Sequence, residues 1–147
     1  MKQEKLVFTA AVMDLCHEGH INLLKKMRKE AGKGKVIVVL HDDKSIYDTK
    51  GRIPIQDLEH RMENVRITEL VDEVLSTTDY QDLARVFEKI ISSHTLYNLV
   101  FMRGNDWSDF PASKTIKEHN IPIKFVEYTK GVSSTLIRKE LKNVVIH

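Results

Sequence analysis

The order of apolar segments constrains the fold of this chain most strongly. Short apolar runs of strand length, such as 36–40 (VIVVL), alternate with segments in which apolar residues recur at helical spacing. This alternation predicts parallel strands joined by helical crossovers, with helices covering both faces of the sheet. We therefore expect an α/β fold, a single Rossmann-like doubly wound domain over residues 1–147 with a mostly parallel five-stranded sheet. The predicted strands are 6–12, 36–40, 71–75, 99–102 and 123–126, and the predicted helices are 20–31, one opening at Asp57, 80–92, 113–119 and 133–141.

Composition narrows the class of protein. The 147 residues suit one domain with a sizeable core, and the formal net charge of +2 gives no bulk argument for nucleic acid or membrane binding. The single cysteine, Cys16, suits a reducing compartment. No segment resembles a signal peptide or is long enough to span a bilayer, so we expect a cytoplasmic protein without a membrane partner.

Polar residues and glycines follow several predicted strands at the point where each strand ends. The segments 13–20, 42–44, 103–107 and 128–135 all fall there, and Lys50 lies in the polar stretch 41–56, which we interpret as a loop. The carboxyl ends of parallel strands share one edge of an open sheet, where ligands of such folds bind. The sequence therefore predicts a ligand site at this edge.

The turn after the first strand contains two histidines three residues apart, in the segment 17–20 (HEGH). Gly19 permits close approach of the backbone to a ligand, and N–H groups at a helix start attract anions, so this turn could hold a phosphate. A metal site is an alternative, but the sequence offers no Cys/His pair with structural-zinc spacing, and His-Glu-x-x-His is absent. A pair of polar turn histidines is the third interpretation.

These segments resemble the HxGH nucleotidyltransferases, and more narrowly the cytidylyltransferases that activate small phosphorylated molecules, such as glycerol-3-phosphate cytidylyltransferase. The matching elements follow the family's order. They are 14–20 (DLCHEGH), 59–61 (EHR), 71–74 (VDEV), 104–107 (GNDW) and 129–135 (TKGVSST). The resemblance spans nearly the whole chain.

The resemblance implies a role for each matching residue. His17, His20, Lys50 and Arg61 would be catalytic, with Lys44 as the second choice for the lysine and part of the acceptor site. Asp14, Trp107 and Tyr128 would also bind the acceptor, although Trp107 equally suits a core position. The nucleotide-binding residues would be Ala11, Val12, Met13, Gly19, Gly104, Asn105, Asp106, Thr129, Gly131, Ser133, Ser134 and Thr135.

The resemblance also implies the reaction and the partners. An oxygen of a phosphorylated small molecule would attack the α-phosphorus of CTP, and pyrophosphate would leave. Mg²⁺ would accompany the nucleotide, held by phosphates and water, with no metal site built from protein ligands alone. The family is typically dimeric, so we expect a homodimer.

Three positions depart from the family pattern and keep alternatives open. Ala11 stands where a glycine is usual, Asn105 replaces the first aspartate of its motif, and Tyr128 replaces an arginine. An adenylyltransferase that uses ATP with a sugar phosphate or FMN is the first alternative. A non-catalytic nucleotide-binding module is the second.

Overall fold

Five strands form the centre of the computed structural model, which describes residues 3–16, 18–78, 80–104 and 112–127, with the backbone alone at 49, 50, 80 and 81. All strand pairs are parallel, and the order is β3-β2-β1-β4-β5. The α/β doubly wound prediction is confirmed. The elements are β1 Lys5–Ala11, α1 Glu18–Ala31, β2 Lys35–His41, α2 Asp43–Lys50, α3 Leu58–Arg66, β3 Glu73–Thr77, α4 Tyr80–Ser93, β4 Asn98–Gly104, α5 Ser113–Glu118 and β5 Ile123–Val126.

Alternate residues of each central strand pack on opposite faces of the sheet. Val7, Val36 and Val38 belong to a cluster with Leu24 of α1 and Val65 of α3. The opposite face is a second cluster, built from Leu6, Phe8, Ile37 and Phe101 with Leu83, Phe87 and Ile90 of α4 and Ile116 of α5. The apolar side chains of α4 thus pack in the core.

Three aromatic rings pack together where α4 contacts the sheet. The rings of Phe8, Phe87 and Phe101 contact one another edge to face, with centroid separations of 5.3, 5.2 and 5.5 Å. Such T-shaped pairs are favourable beyond the area that they bury. This packing fixes the distance of α4 from β1 and β4.

The prediction of a loop over residues 41–56 is wrong for half of that segment. Residues Asp43–Lys50 form α2, whose N-cap Asp42 accepts a hydrogen bond from Ser45 N at 2.7 Å. Gly51 ends the helix in the left-handed region, with φ of 71°. Lys44 and Lys50 therefore lie on a helix. The predicted helix 133–141 lies outside the described residues.

The strand order places a topological switch point at β1. The chain passes from β1 to β2 on one side, and β4 pairs with β1 on the other. The crevice at such a point is where open α/β sheets bind ligands. None of the helices that the structure describes is long and apolar enough to cross a membrane.

Candidate active site

The turn that leaves β1 lies at this switch point. It runs from Val12 to Cys16 and leads towards α1, which begins at Glu18. Met13 and Asp14 are fully buried, while Gly19 and His20 lie half-buried in the first turn of α1. The start of α1 thus faces the edge of the sheet where the sequence predicts the ligand, as a phosphate cradle requires.

The buried carboxylate of Asp14 joins this turn to the segment before α3. Its two oxygens accept hydrogen bonds from Ile55 N at 2.9 Å and Gln56 N at 3.0 Å. The Gln56 side chain also binds the turn, because its Oε1 accepts a hydrogen bond from Leu15 N at 3.0 Å. Asn64 of α3 donates to the same oxygen, also at 3.0 Å. Asp14 therefore supports the turn from inside.

The guanidinium of Arg61 connects the ends of two strands with two helices. It is fully buried, and its Nη1 donates to Val12 O at 2.9 Å and to His41 O at 2.8 Å. Its Nε donates to Gln56 O at 3.0 Å, and its Nη2 donates to Asp43 Oδ1 at 2.7 Å. A planar fork of donors suits this arrangement, which a lysine could not reproduce. The contact of Arg61 with acceptor or triphosphate stays a prediction.

The remaining predicted residues fall into two groups. Ala11 ends β1 and Gly104 ends β4, its neighbour in the sheet, so both lie at the carboxyl edge. Lys44 is exposed on α2, with its ammonium 3.0 Å from Asp48. Outside the described residues lie His17, Asn105, Asp106, Trp107, Tyr128, Thr129, Gly131, Ser133, Ser134 and Thr135, and so does the side chain of Lys50.

We call the hydrogen-bonded group of Asp14, Asp43, Gln56, Arg61 and Asn64 the frame. Three of its side chains were not predicted from the sequence as site residues. Asp43, Gln56 and Asn64 became visible only through their contacts with Arg61, Asp14 and Leu15. The one local signal is that Gln56 immediately precedes Asp57, the N-cap of α3. Its partner Leu15 lies 41 residues away, and no spacing rule connects such positions.

Cys16, at the end of the described part of this turn, carries the single thiol of the sequence and is half-buried. Burial raises the pKa of the Cys16 thiol above its ordinary value. A thiol is a poor nucleophile when protonated. Cys16 is therefore unsuited to form a covalent intermediate at neutral pH.

A family model described as cytidylyltransferase-like matches residues 8–140. The chain belongs to the cytidylyltransferase-like family. The match covers β1 from Phe8 onward, the turn after it, Arg61 and the predicted 129–135 loop, so the resemblance stated from the sequence is confirmed. The hydrogen-bonded group of Asp14 and Arg61 thus lies at the carboxyl edge of the sheet in a cytidylyltransferase-like fold.

Two curated relatives illustrate the range of this family. The chain is 41% identical over 75 residues to an FAD synthase of Thermococcus sibiricus. This alignment covers 50% of this chain and 49% of that protein. The chain is also 28% identical over 144 residues to an ethanolamine-phosphate cytidylyltransferase of Dictyostelium discoideum. That alignment covers 94% of this chain and 38% of the relative. The chain spans about half or less of the length of the curated relatives it matches.

A solved structure shares the fold of this cytidylyltransferase-like chain. The lipopolysaccharide core biosynthesis protein from Thermoplasma volcanium aligns with a TM-score of 0.61 and 24% identity. The alignment covers 88% of this chain and 99% of that one. The likeness confirms the α/β architecture of the sheet and its helices.

Proposed function

We propose that this chain is a nucleotidyltransferase that moves CMP from CTP to the phosphate of a small phosphorylated molecule and releases pyrophosphate. One observation carries the proposal. The turn after β1, held by Arg61 and Asp14 at the switch point of the sheet, leads into an α1 whose first turn holds Gly19 and His20. Such a helix start offers N–H donors and an imidazole to the same phosphate group.

The reaction needs positioning and charge stabilisation rather than a protein nucleophile. An acceptor phosphate oxygen forms the new bond to the α-phosphorus, and the bond to the bridging oxygen of the β-phosphate breaks as pyrophosphate leaves. His20, together with His17, donates hydrogen bonds to oxygens on which charge develops. The protonated thiol of Cys16 stays out of the chemistry.

The proposed site uses two further cations. Lys50, with Lys44 as the alternative, neutralises the acceptor phosphate from α2, which begins at Asp43, the partner of Arg61. Mg²⁺ accompanies the triphosphate. The described residues contain no group of three or more His, Cys, Asp or Glu side chains placed to hold a metal. We propose that phosphates and water supply most of the Mg²⁺ ligands, as is usual for this ion in nucleotide sites.

A second candidate is transfer of AMP from ATP to FMN. It is supported by the 41% identity to FAD synthase over half of the chain. A surface feature also supports it: Ile53 and Ile55 are 68% and 49% exposed in the segment that binds Asp14. Apolar side chains exposed beside a phosphate site favour an acceptor with an apolar body, because they lose contact with water when it binds.

The remaining proposals concern the assembly and its compartment. We propose a homodimer, since closed two-fold assemblies are the commonest among soluble homo-oligomers. We also propose a cytoplasmic location, which the single cysteine supports. Sedimentation equilibrium over a range of protein concentrations tests the dimer, and a monomer mass at every concentration would remove that proposal.

Pyrophosphate release tests the reaction. We expect release from CTP with one class of phosphorylated acceptor, in a matrix of four nucleotides against phosphorylated alcohols, amines, sugars and FMN. His20→Ala should lower kcat by about 10²–10³ with the best pair, the scale of removing one preorganised donor. Release from ATP with FMN alone would select the second candidate. Nucleotide binding without any release would identify a non-catalytic module and defeat both.

A further inference from the structure

The turn after β1 contains two residues in a costly backbone conformation. Met13 has a φ of 52° and Leu15 a φ of 62°, in the left-handed region that favours glycine. Side chains of this size adopt it only where surrounding contacts enforce it, and such positions concentrate at functional sites. Something outside the turn must therefore hold it in place.

The holding contacts come from the segment that precedes α3 and from α3 itself. Arg61 binds Val12 O, and the backbone N–H groups of Ile55 and Gln56 bind the carboxylate of Asp14. Leu15, the second strained residue, is held through its own N–H, which donates to Gln56 Oε1 at 3.0 Å. The strained turn is thus held at three residues, Val12, Asp14 and Leu15.

Gln56 makes two of these contacts with the turn and a third contact with Arg61. Its N–H donates to Asp14, its carbonyl accepts from Arg61 Nε, and its side chain accepts from Leu15. The side-chain contact is the one that mutation can remove without touching the backbone. Asn64 fixes the amide by donating to the same Oε1 at 3.0 Å. A substitution of Gln56 would therefore release Leu15 and leave Arg61 and Asp14 with their partners.

We infer that Gln56 is a positioning residue. By holding the N–H of Leu15, it keeps the strained turn in the conformation that directs the first turn of α1, with Gly19 and His20, at the reacting phosphates. This inference rests on the proposed function for its catalytic consequence. The residue itself need not touch either substrate, since its effect passes through Leu15 and the turn.

Gln56→Met tests the inference, because methionine has a similar length but offers only a weak acceptor. We expect kcat to fall by about 10–100-fold while the KM of the acceptor changes little, since misplaced catalytic groups cost rate at the reacting centre. Amide hydrogen exchange of Leu15 should accelerate. Gln56→Glu retains an acceptor oxygen and should recover part of the lost kcat and slow the Leu15 exchange again. Gln3→Met, at an exposed position, is the matched control and should leave both readouts at the wild-type level.

Asn64→Ala supplies a second variant, which loses only the donor that orients the Gln56 amide. Its effect on kcat should be smaller than that of Gln56→Met, and the double variant should be no worse than Gln56→Met alone. Unchanged kcat or unchanged Leu15 exchange in Gln56→Met would overturn the inference. So would a loss of activity that merely tracks the loss of folded protein in all three variants. Wild-type protein that is inactive toward every nucleotide would defeat the proposed function instead, because Leu15 exchange still reports the hold on the turn.

Discussion

At the scale of single residues, Arg61 shows how a side chain inferred from a motif acquires a physical role from its neighbours. Its guanidinium is fully buried and donates to three main-chain carbonyls and to Asp43. A carbonyl that loses its donor in a buried site keeps the full cost of being removed from water. The arginine therefore stabilises the ends of β1 and β2 through these contacts.

Arg61→Lys should lower the free energy of unfolding by about 3 kcal/mol, because an ammonium cannot serve all of these acceptors at once. Asp43 adds little to this cost, since its side chain is 41% exposed and water can replace its partner. Urea denaturation measures the change. Arg66→Lys, on the same helix but exposed, should change stability by less than about 0.5 kcal/mol. Equal effects of the two substitutions would contradict the role assigned to Arg61.

Thr9 is a second residue whose environment predicts a measurable effect. It is fully buried in β1, and its hydroxyl contacts no hydrogen-bond partner among the residues that the structure describes. Thr9→Val should raise the free energy of unfolding by about 1 kcal/mol, because it replaces an unsatisfied buried hydroxyl by a methyl group. The same substitution at Thr77, whose hydroxyl donates to Asp82 at 3.0 Å, should lower stability instead. Thermal unfolding of both variants decides the matter, and a loss of stability in Thr9→Val would show that its hydroxyl is satisfied.

At the scale of elements, the strands were predictable and one helix was not. β5 was predicted with its observed bounds, Ile123–Val126, because a four-residue segment with β-branched and aromatic side chains is too short for a helix and suits a strand. α2 was missed because Ile46 is its one buried large apolar side chain, so the helix carries no apolar stripe. Its caps, Asp42 and Gly51, were visible in the sequence, but capping residues also occur in loops. The partners of Gln56 and Arg61 could not be predicted, because they depend on the packing of distant segments.

The connection between β3 and α4 gives a prediction about pH. The backbone N–H of Thr78, followed by the hydroxyls of Thr77 and Thr78, lowers the pKa of the Asp82 carboxyl. A carboxyl whose pKa is lower in the folded state stabilises the fold above its unfolded pKa of about 3.9, and that contribution is lost as the pH falls through the folded value. Asp82→Asn should therefore destabilise the protein at pH 7 and make less difference below about pH 4. Unfolding by urea across this range measures it, with the exposed Glu118→Gln as control. A difference that is constant with pH would contradict the contribution of the Asp82 charge.

At the scale of the whole molecule, the site depends on segments far apart in the chain. The turn after β1, the start of α2 and the segment before α3 are joined by Asp14, Gln56 and Arg61. The two core clusters on either side of the sheet hold these segments at one edge. A ligand that binds there stabilises contacts on which strands β1 and β2 both depend. Binding at the edge should therefore be reported by unfolding of the entire domain.

Nucleotide binding should raise the unfolding temperature, since a ligand that binds only the folded state adds RT ln(1 + [L]/Kd) to its stability. At a hundredfold excess over Kd this is about 2.7 kcal/mol, or roughly 5–10 °C for a chain of this size. We expect the shift with CTP and Mg²⁺ to exceed that with ATP and Mg²⁺. Cytidine, which lacks the phosphates, should give almost none, because the donors proposed at the start of α1 act on phosphate oxygens. A larger shift with ATP would favour the adenylyltransferase candidate, and equal shifts with cytidine and CTP would contradict a phosphate site at this edge of the sheet.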